Sequence, residues 1–348
     1  MAADMSVSDF PKVTVLMPVY NAAPFLAEAM RSILDQTFQD FEFLIIDDGS
    51  TDDSAAIIGA CTDSRIRLAG NGRNLGLVAS LNRGLELARG EYVARMDADD
   101  ISLPERLERQ VRFMDAHPQV GVCGSWVRLF PEKHAGIWKL PETFEDIRCW
   151  QFHTVGVAHP SVMLRRKFFR EHALWYDPQY RHIEDYELWG RAMQHMQFAN
   201  IPQILLEYRM SSGQICATHA EEQKAAVAPL RLRRVRELGI EPTAEEQVLH
   251  ELIMNVELPP AGESLDRAEA WLLRLERANR NSSVYAPACF SRRLQQIWFS
   301  ICERFAGASS CSLGRCLGSP LWSTVPFPAW HRLRALGAWM SRRSGKTP

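Results

Sequence analysis

The run Tyr92-Val93-Ala94-Arg95-Met96-Asp97-Ala98-Asp99-Asp100 passes from a β-like segment into a cluster of acids. Ser102-Leu103-Pro104-Glu105 follows it, and this quartet is typical of a helix start with a capping box and a proline in the first turn. Three carboxylates therefore lie where a strand gives way to a helix. Crowded carboxylates repel one another, and their hard oxygens suit Mn²⁺ or Mg²⁺. The run predicts a divalent-cation site, and a solvated acidic turn is the alternative.

The composition is that of an ordinary globular protein, with 348 residues of which 46% are hydrophobic and 24% charged. The net charge of −2 gives no reason to expect a nucleic-acid partner. The eight cysteines form no CxxC pair, so they indicate neither a zinc site nor a disulfide framework. No window approaches the roughly 20 apolar residues of a membrane span, and the N-terminus lacks the pattern of a signal peptide. We therefore expect a cytoplasmic protein with reduced thiols.

Strand-like and helix-like segments alternate through the first 215 residues. Residues 13–17 form a β-branched run that ends at Pro18, and residues 43–46 form a second continuous apolar run. Helix signals follow each of them. This alternation predicts an α/β fold with a Rossmann-like, mostly parallel sheet flanked by helices. In such sheets ligands bind at the carboxyl ends of the strands, where Tyr20, Asp48 and Asp99 are all predicted to lie.

The second part of the chain has only helical patterns. We divide the chain into a domain of residues 1–215 and a helical region of residues 216–348. In residues 327–345, apolar side chains fall on one side of a helix and most arginines elsewhere around it, which is typical of a segment at an anionic membrane surface. This pattern predicts peripheral contact with the inner face of the plasma membrane. An ordinary packed helix explains it equally well.

The chain resembles the family 2 glycosyltransferases, which are inverting enzymes with the GT-A fold. Several short runs carry the resemblance in the family's order, and together they span about the first 215 residues. They are Val15-Leu16-Met17-Pro18-Val19-Tyr20-Asn21, Ser32-Ile33-Leu34-Asp35-Gln36-Thr37, Asp47-Asp48-Gly49-Ser50-Thr51-Asp52, Asn74-Leu75-Gly76, Gly90-Glu91-Tyr92, Asp97-Ala98-Asp99-Asp100, His159-Pro160-Ser161 and Glu184-Asp185.

The resemblance implies a nucleoside-diphosphate sugar donor, with UDP as the expected nucleotide. Asp48 would accept a hydrogen bond from the pyrimidine N3–H, and Pro18 and Tyr20 would line the base pocket. Asp99, with Asp97, would hold a Mn²⁺ or Mg²⁺ ion at the diphosphate. The other donor-binding candidates are Asn21, Asp47, Arg73, Asn74 and Ala98. Three of these assignments have structural alternatives: a core aromatic for Tyr20, a turn cap for Asp47 and a helix cap for Asn74.

The Glu184-Asp185 pair opens an amphipathic segment and supplies the candidate base. An inverting transfer needs a group that takes the proton from the acceptor hydroxyl, and the resemblance assigns this role to Asp185. Glu184 would tune Asp185 or contact the acceptor. The alternative for both is a pair of acids favoured by a helix N-terminus. His159 would contact the acceptor or the diphosphate, or it is a buried histidine bonded to the backbone.

The sequence also departs from the family pattern. It lacks the Gln-x-x-Arg-Trp run and the membrane spans of processive synthases, so we expect one sugar per encounter. Many relatives have a histidine after Tyr-Arg-x, but here Ser211 follows Tyr208-Arg209-Met210, which leaves a second metal ligand open.

The predicted function is transfer of a single sugar to an acceptor hydroxyl on a glycan or lipid-linked saccharide during surface polysaccharide synthesis. A catalytically inactive nucleotide-sugar-binding or scaffolding protein on the same fold is the alternative. A nucleotidyltransferase is disfavoured because Pro18-Val19-Tyr20-Asn21-Ala22-Ala23 contains no glycine for a phosphate loop.

Overall fold

The computed structural model describes residues 10–131, 136–210, 219–259, 262–305 and 315–323. The chain divides into two compact units, of which one comprises Met1–Ile147 with Val155–Gln223 and the other Arg148–Thr154 with Lys224–Pro348. The boundary predicted between residues 215 and 216 stays a prediction. The predicted membrane segment, residues 327–345, lies outside the described residues.

The first half of the sheet is parallel. Its strands lie in the order β3-β2-β1-β4, and helices connect them along the chain. Both faces of β1 and β2 are buried, which explains the apolar runs at residues 13–17 and 43–46. The elements are β1 (Val13–Val19), α1 (Ala23–Leu34), β2 (Phe41–Asp47), α2 (Ser54–Gly59), β3 (Ile66–Gly70), α3 (Leu77–Leu87) and β4 (Tyr92–Arg95).

The second half of the sheet is mixed. It continues from β4 in the order β8-β6-β9-β5, and β7 pairs with β6. Strand β8 is antiparallel to both β4 and β6, whereas β6 and β9 are parallel. The elements are β5 (Ile101–Ser102), α4 (Arg106–Ala116), β6 (Val120–Phe130), β7 (Gly136–Trp138), α5 (Phe144–Gln151), β8 (Met163–Arg165), α6 (Arg166–Glu171), α7 (Glu184–Ala192) and β9 (Gln197–Arg209).

The predicted capping box at Ser102 is wrong. Ser102 belongs to β5 and pairs with Leu206 of β9, and its backbone N–H donates to Ser32 Oγ at 3.0 Å. Helix α4 begins at Arg106, after Glu105, and no side chain caps it. Pairing with a distant strand therefore outweighed the local capping signal.

The second unit is helical. Its helices are α8 (Ala220–Glu237), which begins in the first unit, α9 (Ala244–Met254), α10 (Gly262–Ser282) and α11 (Pro287–Phe305), followed by a 3₁₀ turn at Pro320–Ser323. One face of α10 is buried and consists of residues at helical spacing, namely Leu265, Ala268, Leu272 and Leu275, which are at most 1% exposed. Among the described helices, none has the length and apolar character needed to cross a membrane.

Candidate active site

Three of the predicted donor-binding or metal-binding groups lie at one edge of the sheet. Strands β2 and β4 run parallel to β1 on either side of it, and Val19 pairs with Asp47 at their carboxyl ends. Tyr20, Asp48 and the acids that begin at Asp97 each follow one of these strands. Tyr20 is 48% exposed, which argues against its alternative as a core aromatic. This edge is where an α/β sheet binds ligands.

Hydrogen bonds join the loops that follow β1 and β2. Asn21 Oδ1 accepts from the Thr51 backbone N–H at 2.8 Å, and the Asn21 N–H donates to Ser50 Oγ at 3.1 Å. Asp47 Oδ1 accepts from the Ser50 N–H at 3.0 Å, as expected for a turn cap. Asn21 and Asp47 thus hold the shape of this edge. Pro18 is buried within β1.

Asp48 anchors the loop between β3 and α3. Its side chain is buried, and its two oxygens accept hydrogen bonds from the backbone N–H groups of Leu75 and Gly76 at 2.9 and 2.8 Å. Asn71 Nδ2 also donates to Asp48 Oδ1, at 2.6 Å. Sequence reasoning assigned Asp48 to the nucleotide base alone and missed Asn71.

The anchored loop presents Arg73 and Asn74 at the surface. A Cβ at Gly49, where φ is +74°, would lie 2.6 Å from the Arg73 backbone, so the two loops pack with no space for a side chain. Arg73 and Asn74 are both exposed. Asn74 Oδ1 accepts from the Gly76 N–H at 3.0 Å, just before α3 begins at Leu77.

We expect Asp48→Asn to destabilise the first unit by about 1–3 kcal/mol, because an amide NH₂ would replace one oxygen that accepts a backbone N–H. Donor affinity should fall as well, since the loop carries Arg73 and Asn74. Urea unfolding and donor calorimetry measure the two effects. Asp47→Asn is the matched control, because its single acceptor contact can be made by an amide oxygen. Equal urea-unfolding midpoints for the Asp48→Asn and Asp47→Asn variants would contradict the role of Asp48 as the anchor of the loop.

The acids after β4 form a compact cluster. Carboxylate oxygens of Asp97, Asp99 and Asp100 lie within 4.8 Å of one another. Asp100 is 1% exposed, and its Oδ1 accepts from the Arg209 backbone N–H at 2.9 Å. Among the described residues, its Oδ2 has no hydrogen-bond partner. A buried carboxylate oxygen without a partner is costly, so these residues fit a divalent cation.

Burial, followed by repulsion from Asp97, raises the pKa of Asp99 to about 6. Burial likewise raises the pKa of Asp100 well above its ordinary value, with Asp97 and Asp99 adding to the effect. A cation would relieve this repulsion and favour the ionised carboxylates. Ala98, between these acids, is 9% exposed.

The buried side chain of Arg95 links the acid cluster to the candidate base. Arg95 is 3% exposed, and its Nη1 donates to Asp97 Oδ2 at 2.5 Å. Its charge also acts on Glu184, Asp185 and His159. The charge of Asp97 acts in turn on Asp185. The structure thus brings the two acid groups into one electrostatic neighbourhood. Sequence reasoning missed Arg95, although a charged residue inside the apolar run of β4 was a visible signal.

Glu184 and Asp185 form the first turn of α7. Glu184 is 7% exposed, and burial, followed by repulsion from Asp185, raises its pKa to about 7. Burial also raises the pKa of Asp185. Asp185 is half-buried, and its Oδ1 accepts from the Tyr186 N–H at 2.7 Å. The position at a helix N-terminus matches the structural alternative and is equally compatible with a base.

His159 is buried and lies 2.8 Å from the Tyr176 hydroxyl through its Nε2. Its ring contacts Trp189 of α7 edge-on, with the ring centroids 5.8 Å apart. Burial, together with the charge of Arg95, lowers its pKa well below the ordinary value, so the imidazole is neutral. The partner is a tyrosine hydroxyl rather than the backbone. A contact of His159 with acceptor or diphosphate stays a prediction.

The raised pKa of Glu184 predicts how stability changes with pH. Between about pH 4.5 and 7, folded Glu184 keeps a proton that the unfolded chain releases, so stability falls as pH rises through this window. Glu184→Gln removes the titrating group. The free energy of unfolding is measured with urea, without added metal. Between pH 5 and pH 8 it should fall by about 1–3 kcal/mol less in the variant than in wild type. If the free energy of unfolding changes with pH in the same way in both proteins, Glu184 is not the titrating group.

The sequence is similar to one family of known proteins and to several of its members. The model of a family described as Glycosyl transferase family 2 matches residues 14–173. An uncharacterized glycosyltransferase from Haemophilus influenzae is 31% identical over 237 residues, which are 65% of this chain and 73% of that protein. The chain belongs to glycosyl transferase family 2. A second uncharacterized member, from Methanocaldococcus jannaschii, is 35% identical over 225 residues, covering 62% of this chain and 77% of that protein.

Two further comparisons concern a named relative of this family 2 member and a solved structure with a similar fold. The amylovoran biosynthesis glycosyltransferase AmsE of Erwinia amylovora is 32% identical over 211 residues, covering 58% of this chain and 77% of that protein. The crystal structure of S. aureus TarS residues 1–349 in complex with UDP-GlcNAc matches with a TM-score of 0.54 and 16% identity, over 96% of this chain and 92% of that one. The predicted family and GT-A fold are confirmed.

Proposed function

We propose that this family 2 glycosyltransferase moves one sugar from a nucleoside-diphosphate sugar to an acceptor hydroxyl, with inversion at the anomeric carbon. The observation that carries the proposal is the buried Arg95, which donates a hydrogen bond to Asp97 and whose charge also acts on Asp185. Cation-binding acids and a base are the two groups that a single displacement needs. The UDP-GlcNAc in TarS supports UDP as the nucleotide.

The donor site would use the sheet edge. Tyr20 is exposed there and would contact the base, beside Pro18. Asp48 would accept the base N3–H while it holds the loop that carries Arg73 and Asn74. The remaining contacts with the nucleotide-sugar donor would involve Asn21, Asp47 and Ala98.

The cation site would be formed by Asp99 and Asp97. A Mn²⁺ or Mg²⁺ ion held there would neutralise the charge that develops on the departing nucleoside diphosphate. The orphaned oxygen of Asp100 supports the fit of a cation to this cluster.

Asp185 would take the proton from the acceptor hydroxyl. Its raised pKa brings its basicity closer to neutral pH, which favours general-base catalysis. Glu184 would stay protonated over part of the working range because its pKa is about 7, so the pair would avoid a double negative charge. His159, fixed by Tyr176, would lie beside the acceptor or the diphosphate.

The acceptor would be a glycan or lipid-linked saccharide of a surface polysaccharide, which the amylovoran biosynthesis role of AmsE supports. The protein would work in the cytoplasm, with residues 327–345 touching the anionic inner face of the plasma membrane. Deleting the residues after Pro326 should then release the protein from anionic vesicles at low salt. Absence of full-length binding to such vesicles would remove the membrane contact from the proposal.

A donor screen tests the proposed function. Calorimetry with UDP-, GDP- and TDP-sugars, with and without Mn²⁺, is combined with detection of the released diphosphate and the glycosylated product. We expect Mn²⁺-dependent binding of one nucleotide class, followed by turnover. Binding without turnover would favour the nucleotide-sugar-binding alternative, and the absence of binding would overturn both.

A further inference from the structure

A second group of metal-ligating side chains lies outside the acid cluster. His182 precedes α7, and His219 and Glu222 lie at the start of α8. Glu222 Oε2 is 2.9 Å from His219 Nδ1 and 3.8 Å from His182 Nε2. The His182 side chain is 19% exposed, that of His219 39% and that of Glu222 69%, so an ion can reach the group from solvent.

The separations suit a small tetrahedral ion. Two ligand atoms at about 2.0–2.1 Å from Zn²⁺ lie about 3.3 Å apart at a tetrahedral angle. The two carboxylate–imidazole distances, 2.9 and 3.8 Å, lie on either side of this value. All three ligand atoms are within 4.8 Å of one another. Over the described part of the chain, the acids at residues 97, 99 and 100 form the other group that meets this criterion.

The ligand chemistry of the two groups differs. The acid cluster offers carboxylate oxygens, which suit Mg²⁺ and Mn²⁺, whereas His182 and His219 offer imidazole nitrogens, which suit Zn²⁺ and its neighbours. A pair of imidazoles with one carboxylate is a recurrent zinc ligand set, with water at the fourth position. The geometry points to a second ion: we propose that His182, His219 and Glu222 bind a divalent transition-metal ion of the Zn²⁺ class.

A hydrogen bond holds the backbone at His182 next to α8. His182 has a φ of +68°, in the left-handed region that non-glycine residues rarely occupy. Its carbonyl accepts a hydrogen bond from Gln223 Nε2 at 2.8 Å, which joins the loop to the first turn of α8. An ion at the three side chains would add a second link between these segments. That link would hold the loop that leads directly into Glu184 and Asp185.

The two imidazole rings must turn to share an ion. The rings of His182 and His219 are stacked, with centroids 4.3 Å apart and planes at 13°. The χ2 torsion of histidine is broad, and the exposure of His219 leaves room for the rotation. His172 and His195 form a second stacked pair, at 4.2 Å and 15°, which is not part of either candidate group among the described residues. The carboxylate of Glu222 therefore distinguishes the proposed site from a mere histidine stack.

Calorimetric titration of the full chain with Zn²⁺, and Co²⁺ absorption spectra, test the site. Wild type should bind one more equivalent of Zn²⁺ than the His182→Ala/His219→Ala double variant. Zn²⁺ should raise the Tm of wild type but not that of this double variant. Glu222→Gln keeps the shape of an exposed side chain and is not expected to affect folding. It should weaken binding at least about tenfold, since even losing an outer-shell partner costs about 10–100-fold.

Two controls separate this site from other metal binding. The His172→Ala/His195→Ala double variant should keep the wild-type stoichiometry, because its stacked pair lacks the carboxylate. Asp99→Ala should keep the Zn²⁺ equivalent while losing the Mn²⁺ site, so the result does not depend on the proposed transfer reaction. Equal Zn²⁺ stoichiometry in wild type and the His182→Ala/His219→Ala variant would overturn the proposal. Loss of the bound Zn²⁺ equivalent in either control variant would overturn the proposal as well.

Discussion

Replacing Asp185 with asparagine should remove sugar transfer and leave donor binding intact. The amide has nearly the same shape and can accept the Tyr186 N–H as the carboxylate does, so α7 should keep its first turn. It cannot take a proton from the acceptor hydroxyl. General-base catalysis contributes about 10²–10⁴-fold, and we expect kcat to fall by that factor. Initial-rate kinetics and donor calorimetry measure the two quantities separately.

Glu187 supplies the matched control for this experiment. It lies one half-turn later on α7, where its carboxylate forms an ion pair with Arg191 at 2.7 Å. Glu187→Gln changes the charge of the helix by the same amount without touching the proposed base, so kcat should stay within about threefold of wild type. If Asp185→Asn keeps the wild-type kcat, or if Glu187→Gln loses as much as Asp185→Asn, the base is another group.

Asp99→Ala should abolish the stimulation of turnover by Mn²⁺. The substitution removes one of three clustered carboxylates and, with it, the ligand proposed to hold the cation at the diphosphate. Loss of one electrostatic contact to developing charge costs about 10²–10³-fold in kcat, and we expect a loss of at least this size. Donor hydrolysis and transfer are measured over a series of Mn²⁺ concentrations. The variant should also be no less stable than wild type, because it removes a carboxylate whose pKa is raised by burial and by repulsion from Asp97.

Asp53 provides the comparison for Asp99. It is an exposed acid next to α2 whose side chain makes no capping hydrogen bond. Asp53→Ala should therefore keep both the turnover and its dependence on Mn²⁺. Turnover of Asp99→Ala that still rises with Mn²⁺ as in wild type would reject the metal role of this residue.

The regular elements of the chain could be predicted from local patterns. Buried parallel strands must be apolar on both faces, and this requirement is visible in residues 13–17 and 43–46 without knowledge of their neighbours. The same holds for the face of α10 at Leu265, Leu272 and Leu275, which is buried at the period that the sequence shows. The alternation of strands and helices predicted in turn the carboxyl edge of the sheet, where Tyr20, Asp48 and Asp99 lie.

The contacts that shape the candidate site could not be predicted in this way. Asp100 accepts a hydrogen bond from the backbone of Arg209, which is 109 residues away. The two oxygens of Asp48 hold a loop 27 and 28 residues away, and no local pattern distinguishes such an anchor from a ligand-binding acid. The local sequence predicts a helix cap at Ser102, because the strand that pairs with it, β9, comes about a hundred residues later.

The sequence by itself therefore determined which segments become strands and helices, which family the chain resembles and which acids end the strands. Tertiary structure decided that Arg95 donates to Asp97 and that its charge also acts on Asp185, and it brought His182 to His219 and Glu222. The physical reason is that periodicity and capping depend on residues a few positions apart. Charge interactions and metal-ligating groups depend instead on distances in space, which exist only after the sheet and helices have packed.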